Sequence, residues 1–320
     1  MRLLCVPILL SAFVACRPPQ EKIIGVVPKG ANHIFWQTVR AGAIKAAAEC
    51  SAKIEWNAPS LEVDSSRQIE IVESMVNRRL AGIALAPVDR RALVRVVEHA
   101  ATLGIPVAIF DSAIDTPRRI TYVATNNEEG GRMAARRLAA SIGESGQVGV
   151  IGFMPGSAAT EERERGFDRE IREHFPRIEL VGVRFAMADR AKALALTENL
   201  LTAYPKLAGI FADNESSTAG AVQALKTRGA KNVKLVAFDA SEALVEDLRS
   251  GFIDALVVQN PFAMGYESTR AICRKLAGES PAAQFDSGAT LVTAPDLAKP
   301  DIQALLFPPI QQYLTGSPGH

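Results

Sequence analysis

Short apolar runs alternate with amphipathic runs along almost the whole chain. Residues 23–27 and 82–85 are aliphatic stretches of strand length, whereas residues 35–50 carry apolar side chains at helical spacing. Buried strands separated by helices of about 10–16 residues form parallel sheets covered on both faces, so the pattern predicts an α/β fold. The predicted strands are 23–27, 53–56, 82–85, 106–110, 122–124, 148–151, 178–183, 208–212, 233–237, 253–258 and 289–293.

About eleven strands are more than one open twisted sheet holds comfortably, so two similar lobes are expected. Each lobe should be a Rossmann-like, doubly wound sheet with helices on both sides. In open α/β sheets, ligands bind at the carboxyl ends of the strands. The loops that directly follow the strands are therefore the places to search for functional side chains.

The N-terminus has the pattern of a targeting segment. Arg2 is followed by an apolar stretch over residues 3–14, which is too short for a transmembrane helix and suits a signal peptide. The small residues before Cys16 resemble a bacterial lipobox, in which that cysteine is lipidated. We predict a signal peptide over 1–15 and a lipidated tether over 16–21; a plain secretory signal cleaved nearby is the alternative.

Composition and charge exclude several classes of protein. The chain has 36 Lys and Arg and 35 Asp and Glu, so it lacks the excess of positive charge that a nucleic-acid backbone requires. Four cysteines are too few for a disulfide scaffold. Cys50 and Cys273 are expected to be small buried apolar residues, although an oxidising compartment would also allow them to pair.

The loop after the first strand holds His33, Phe35 and Trp36. Aromatic faces suit the C–H face of a sugar ring, and an imidazole can bond to its hydroxyls. The simpler alternative is that both aromatic residues belong to the core. Asp111 directly follows the fourth predicted strand, where its carboxylate could accept two hydroxyl hydrogen bonds or could simply stabilise a turn.

Later strand-end loops add amides, carboxylates and an arginine. Glu161 could instead complement a helix dipole, and one amide of the pair that includes Asn126 is expected to cap a helix. Together these groups suit a neutral, polyhydroxylated ligand. The candidates in these loops are Asn126, Glu161, Arg163, Asn214, Asp239 and Gln259.

At these positions the chain resembles the ribose-binding type of periplasmic sugar-binding protein of ABC importers. The resemblance implies the type I fold, with a lactose-repressor-like core and three hinge segments. It places the N-terminal lobe at 22–124 plus 261–290, and the C-terminal lobe at 125–260 plus 291–320. A tail from residue 295 is expected to pack on a lobe. The matching stretches are 32–36, 109–111, 125–131, 162–167, 211–215, 236–239 and 258–259.

The resemblance also implies roles for the candidate residues. Phe35 and Trp36 would stack on or flank the sugar. His33 lies where the family often has Asn, and it could still bond to a hydroxyl. The stretch 186–189 lacks the aromatic side chain that closes the other face of a ribose, which suggests a larger or differently faced pocket. The expected polar partners of the sugar are Asp111, Asn126, Glu161, Arg163, Asn214, Asp239 and Gln259.

Rival functions have less support in the sequence. The four histidines show no metal-ligand spacing, and there is no phosphate-binding loop or nucleophile motif, so neither an enzyme nor a cofactor or metal is expected. A DNA-binding repressor would need an N-terminal helix-turn-helix. We expect a monomeric, extracytoplasmic sugar- or polyol-binding protein that serves an ABC permease, in the periplasm or on the outer cell-envelope face, anchored through Cys16. A sugar-sensing partner of a chemoreceptor or sensor kinase is the alternative.

Overall fold

The computed structural model describes residues 21–31 and 33–315, so the predicted signal peptide and the predicted lipidation site Cys16 lie outside the described residues. Strands and helices alternate as the hydrophobic pattern predicts. In chain order the elements are β1 (Lys22–Val27), α1 (Ile34–Glu49), β2 (Ala52–Trp56), α2 (Ser65–Asn77), β3 (Gly82–Leu85), α3 (Val94–Thr102), β4 (Val107–Phe110), β5 (Thr121–Ala124), α4 (Asn127–Ser141), β6 (Gly146–Gly152), α5 (Ala158–His174), β7 (Ile178–Phe185), α6 (Arg190–Ala203), β8 (Leu207–Ala212), α7 (Glu215–Arg228), β9 (Lys234–Phe238), α8 (Glu242–Arg249), β10 (Ala255–Gln259), α9 (Pro261–Leu276), β11 (Gln284–Asp286), β12 (Ala289–Val292), a 3-10 helix (Ala294–Ala298), α10 (Pro300–Leu306) and α11 (Gln311–Leu314).

The strands of the described residues form two six-stranded sheets, in the orders β2-β1-β3-β4-β5-β11 and β7-β6-β8-β9-β10-β12. Neighbouring strands run parallel, except that β12 runs antiparallel to β10. We call the first sheet with its helices the first lobe and the second sheet with its helices the second lobe. The predicted fold of two doubly wound lobes is confirmed. The short strand β11 was not predicted, because its three residues are exposed and contain no apolar run.

The chain crosses between the lobes three times. It crosses at 125–126 between β5 and α4, at Asn260 between β10 and α9, and at 287–288 between β11 and β12. The expected boundary after residue 290 falls inside β12, where Ala289 already pairs with Gln259. The third crossing therefore comes earlier than the sequence indicates, because the brief β11 conceals where the first sheet ends.

Close helix pairs fix the geometry of each lobe. Gly42 of α1 lies against the carbonyl of Phe262 in α9, and Gly131 of α4 lies against the carbonyl of Arg163 in α5. A Cβ at either glycine would overlap backbone atoms of the neighbouring helix. This close approach holds α5 firmly against α4 within the second lobe.

Cys50 and Cys273 form a disulfide between the end of α1 and α9. The expectation of two buried thiols is therefore wrong. The bond joins residues 223 positions apart, and such a long closed loop restricts the unfolded chain strongly. A stabilisation of about 2–5 kcal/mol is typical for such a cross-link.

The C-terminal tail contacts both lobes rather than one. Ile302, Leu305 and Leu306 pack against the apolar core of the second lobe. Tyr313 of α11 packs against Phe262 at the start of α9 in the first lobe, with 5.6 Å between the ring centroids. The tail therefore extends from the second lobe to the first. In the described part of the chain, no helix has both the length and the apolar character needed to cross a membrane.

Candidate functional site

A cavity of about 690 Å³ lies between the two lobes. Its walls come from loops at the carboxyl ends of strands in both sheets, as expected for open α/β sheets. The predicted residues that line it are His33, Phe35, Trp36, Asp111, Arg163, Asn214, Asp239 and Gln259.

Two aromatic side chains form one wall of the cavity. Phe35 and Trp36 meet edge to face, with 4.8 Å between the ring centroids and 86° between the ring planes. The indole Nε1–H of Trp36 donates a 2.8 Å hydrogen bond to Glu62. Both rings also belong to the core of the first lobe, as the simpler alternative expected, and stacking on a sugar stays a prediction. A rigid apolar face of this kind suits the C–H face of a sugar ring.

Asp111 and Asp239 occupy matching positions in the two lobes. Each follows a buried strand and has a left-handed backbone, with φ of 62° and 68°. Each backbone N–H donates a 3.0 Å hydrogen bond to the next strand, to Val123 O and Val257 O respectively. Aspartate tolerates this conformation better than most residues do. The strand ends therefore present one buried carboxylate from each lobe to the same cavity.

Lys29 neutralises Asp111 and also bridges the lobes. Its Nζ lies 2.8 Å from Oδ2 of Asp111 and donates a 2.7 Å hydrogen bond to Ser112 in the first lobe. A longer contact of 3.4 Å reaches Ser157 in the second lobe. The side chain is buried and lines the cavity.

His33 joins the first lobe to Glu215 of the second. Its Nδ1 accepts a 3.0 Å hydrogen bond from the N–H of Phe35 and so caps α1, and its Nε2 lies 2.9 Å from Glu215. Arg190 donates two hydrogen bonds to the same carboxylate, at 2.8 and 3.0 Å. Burial alone would raise the pKa of Glu215, but His33 and Arg190 outweigh it and hold that pKa below its usual value.

Two hydrogen bonds and an aromatic ring fix the guanidinium group of Arg163. Its Nε donates to Asn127 and its Nη1 to the carbonyl of Asp213, both at 2.8 Å. The guanidinium lies 4.1 Å from the ring centroid of Phe238, a cation–π distance. Arg163 thus presents fixed donors to the cavity from the second lobe.

Two amides complete the polar wall of the second lobe. Gln259 donates a 2.7 Å hydrogen bond to Asp239, and its buried Oε1 has no partner among the described residues. Asn214 caps α7 by accepting from the N–H of Ser217 and also lines the cavity. A buried acceptor without a partner is costly, so the Gln259 oxygen suits a ligand hydroxyl.

Two predicted residues lie outside the cavity lining. Asn126 caps α4 by accepting from the N–H of Glu129, while the neighbouring Asn127 points inward to Arg163. Glu161 accepts a hydrogen bond from the N–H of Gly156 and lies 3.6 Å from Arg90 of the first lobe. The structure therefore gives no support to the expected ligand-binding role of either residue, because their side chains satisfy local backbone donors or the contact between lobes.

Several lining residues were not predicted. Lys29 lies in the loop after β1 and belongs to no recognisable motif, so only its position at a strand end indicated function. Glu62 lies in the loop after β2, lines the cavity and accepts the hydrogen bond from Trp36. Glu215 follows Asn214 and could have been selected with it. Met187 and Ala188 form the lining where no aromatic side chain was found.

A second set of contacts joins the lobes beside the cavity. The N–H of Arg90 in the first lobe donates a 3.0 Å hydrogen bond to the carbonyl of Gly156 in the second. Gly156 has φ of 91° and lies against the carboxylate of Asp89. Val88 packs against Phe153 in a small apolar cluster. Of the residues in these contacts, only Phe153 lines the cavity, so Arg90, Gly156, Asp89 and Val88 hold the lobes together outside it.

A buried acidic pair lies behind Arg163. Oε1 of Glu164 and Oδ1 of Asp213 are both buried and lack another hydrogen-bond partner. Burial and the negative charge of Asp213 raise the pKa of Glu164, and burial also raises the pKa of Asp213. Two neighbouring carboxyl groups resist double ionisation, so we expect the pair to hold one proton at neutral pH. Within the described residues, no cluster of three or more His, Cys, Asp or Glu side chains could hold a metal ion.

Known proteins share this architecture. Residues 24–280 match the family model of a periplasmic binding protein domain. The ribose import binding protein of Bacillus subtilis is 29% identical over 252 residues, which cover 79% of this chain and 81% of that protein. A carbohydrate transporter solute-binding protein of Agrobacterium radiobacter, solved with D-arabinose, is 32% identical with a TM-score of 0.88, covering 91% of this chain and 100% of that one. An ABC transporter solute-binding protein of Agrobacterium vitis with bound D-fucose is 31% identical with a TM-score of 0.86, covering 89% of this chain and 100% of that one.

The proton shared by Glu164 and Asp213 makes stability depend on pH. The folded protein keeps this proton above pH 4.5, where an ordinary glutamate loses it, so the free energy of unfolding falls as the pH rises. Glu164→Gln keeps a donor for Asp213 and does not titrate. Urea unfolding should show that, between about pH 5 and pH 8, the free energy of unfolding of this variant rises by about 1–3 kcal/mol relative to that of the wild type. Glu173→Gln, an exposed change on the same helix, is the control; an equal pH dependence in all three proteins would contradict the shared proton.

Proposed function

The chain belongs to the periplasmic binding protein family, and on that premise we propose that it is the extracytoplasmic solute-binding protein of an ABC importer. It captures a sugar or related polyol between its lobes and delivers it to a membrane permease. The family consists of substrate-binding transport proteins rather than enzymes. The proposed function accordingly contains no catalytic step.

The observation that carries this proposal is the way charge is balanced in the cavity. Asp111 pairs with Lys29, Glu215 pairs with Arg190 and His33, and Asp239 accepts from Gln259. Because Asp111 and Glu215 have cationic partners and Asp239 has hydrogen-bond donors, the cavity favours a ligand without net charge. Fixed donors and acceptors around an aromatic wall suit its hydroxyls and C–H face. Relatives solved with D-arabinose and D-fucose support a sugar.

Closure of the hinge is the proposed mechanism of capture. The contacts of Lys29 with Ser157 and of His33 with Glu215 exist only when the lobes are together. A ligand that bonds to both lobes therefore favours the closed form over the open one. The permease would then recognise the closed surface. We propose that the protein acts as a monomer, because one chain supplies both walls of the cavity.

Removal of Asp239 should weaken sugar binding. The carboxylate accepts from Gln259 and from the N–H of Glu215, so Asp239→Ala leaves buried donors without partners. After a thermal-shift screen of D-arabinose, D-ribose, D-fucose and D-tagatose identifies a ligand, calorimetry should show a loss of about 1–3 kcal/mol in binding free energy. Asp168→Ala, an exposed position in the same lobe, should bind like the wild type. Unchanged affinity in Asp239→Ala would remove this residue from the site.

Closure can be tested at a position that does not line the cavity. In Gly156→Ala the new Cβ overlaps the Asp89 carboxylate, which cannot rotate freely because it accepts from the N–H groups of Arg91 and Ala92. The overlap exists only in the closed form. We expect sugar affinity to fall about fivefold to thirtyfold by calorimetry.

Gly182→Ala is the matched control for Gly156→Ala. Gly182 has a similar φ of 97°, also lies in the second lobe, and has no atom within 4 Å of a new Cβ. Both variants therefore carry the same kind of backbone penalty, about 1 kcal/mol, but only one obstructs closure. Equal affinity losses in the two variants would show that the Asp89 contact plays no part in binding.

We further propose that the protein is anchored to the cell envelope through Cys16, which lies outside the described residues. The small residues that precede this cysteine support lipidation, and several acyl chains would anchor the protein stably. Cells grown with labelled palmitate should yield labelled wild-type protein and unlabelled Cys16→Ala. Label in neither protein would contradict the anchor and favour a plain secretory signal.

A further inference from the structure

We propose that the preferred ligand is a glycoside, whose sugar ring occupies the inner cavity and whose substituent extends between Leu61 of the first lobe and Met187 of the second. This inference rests on the proposed function and specifies its ligand class. The substituent is a second sugar ring or an alkyl or aryl group. These share the chemistry of an apolar surface attached through a glycosidic oxygen.

The cavity divides into a polar inner end and a largely apolar outer end. Asp111, Arg163, Asp239 and Gln259 are buried and mark the inner end. These groups can satisfy the hydroxyls of one ring. The whole space of about 690 Å³ lies within the range of about 300–1,000 Å³ that is common for sites of larger ligands.

Exposed apolar side chains mark the outer end. Leu61 and Met187 line the cavity, yet 65% and 37% of their surfaces are exposed. Val63, Ala188 and Ala191 extend the same apolar lining. Large exposed apolar groups beside a ligand cavity indicate a surface that is covered on binding.

Two polar side chains of the outer end already have partners within the protein. Asp189 accepts from the N–H groups of Ala191 and Lys192 and so caps α6. Arg190 forms its paired hydrogen bonds with Glu215. An apolar ring face or chain would be accommodated against Leu61 and Met187, while the remaining N–H groups of Arg190 and the hydroxyl of Ser60 can bond to hydroxyls of a second ring.

The backbone holds Met187 in place at a conformational cost. Met187 and Ala188 have φ of 59° and 57°, in the left-handed region that is unfavourable for residues with a side chain. The N–H of Met187 donates a 2.7 Å hydrogen bond to the carbonyl of Phe153, which fixes the segment. Strained backbone of this kind is concentrated at ligand sites. The small side chain of Ala188 leaves the adjacent space open to a substituent.

The test compares each free sugar with its own glycosides by calorimetry. D-arabinose, D-fucose, D-ribose and D-glucose are each measured free, as methyl glycosides and as phenyl glycosides, and cellobiose and maltose are included. We expect a phenyl glycoside or a disaccharide to bind about tenfold tighter than the free sugar, because it buries additional apolar surface. Preference for the phenyl compound indicates an aryl substituent, and preference for a disaccharide indicates a second sugar ring.

Variants separate the two ends of the cavity. Leu61→Ala and Met187→Ala should lower glycoside affinity about fivefold more than they lower free-sugar affinity. Val183→Ala is the control, since Val183 lies in the second lobe, is 41% exposed and does not line the cavity. Ala188→Phe should reduce glycoside binding more than free-sugar binding, because it fills the space beside Met187.

The outcomes distinguish this inference from the proposed function. If a free sugar binds as tightly as or more tightly than its glycosides, the glycoside inference is wrong and the sugar-binding function stands. Equal losses for free sugar and glycoside in Leu61→Ala and Met187→Ala would also overturn it. If no sugar or glycoside binds at millimolar concentration, the proposed function itself fails, and the glycoside inference fails with it.

Discussion

A carboxylate that is removed from water is unfavourable unless charges or hydrogen-bond donors compensate it, and the cavity buries Asp111 of the first lobe and both Asp239 and Glu215 of the second. Asp111 depends on Lys29, and Asp239 depends on Gln259 and the N–H of Glu215. The rest of the site is arranged around these requirements. The compensation also explains why ionised groups can surround a ligand that has no net charge.

The same groups connect binding to closure. Lys29 reaches from Asp111 toward Ser157, and His33 reaches from the cap of α1 to Glu215, so satisfying polar groups in one lobe requires the other. The hydrogen bond between Arg90 and Gly156 also stabilises the closed form, and it does so without the ligand. Each contact contributes modestly, so the ligand can decide the balance between open and closed forms.

Local chemistry made much of the site predictable. Apolar runs predict the strands and the positions where they end. In open α/β sheets the ligand cleft lies at the carboxyl ends of the strands, so a polar residue there is a candidate for the cleft. Asp111, Asp239 and Gln259 were found in this way. Asn126 and Glu161 were expected at the ligand but do not line the cavity, since a capping side chain and a ligand-binding side chain have the same residue types and the same positions. Only the direction in which the side chain points separates them.

The sequence alone determined the alternation of strands and helices, the two lobes, and the hydrogen-bonding character of the strand-end loops, since all of these depend on local periodicity and residue type. Tertiary structure decided the pairings. Lys29 meets Ser112 across 83 positions, and Cys50 meets Cys273 across 223. Such contacts depend on the order of the strands in each sheet and on where the chain crosses the hinge. A local sequence pattern predicts neither of these. The apolar outer end of the cavity emerged for the same reason, because Leu61 and Met187 become neighbours of one space only when the two lobes close.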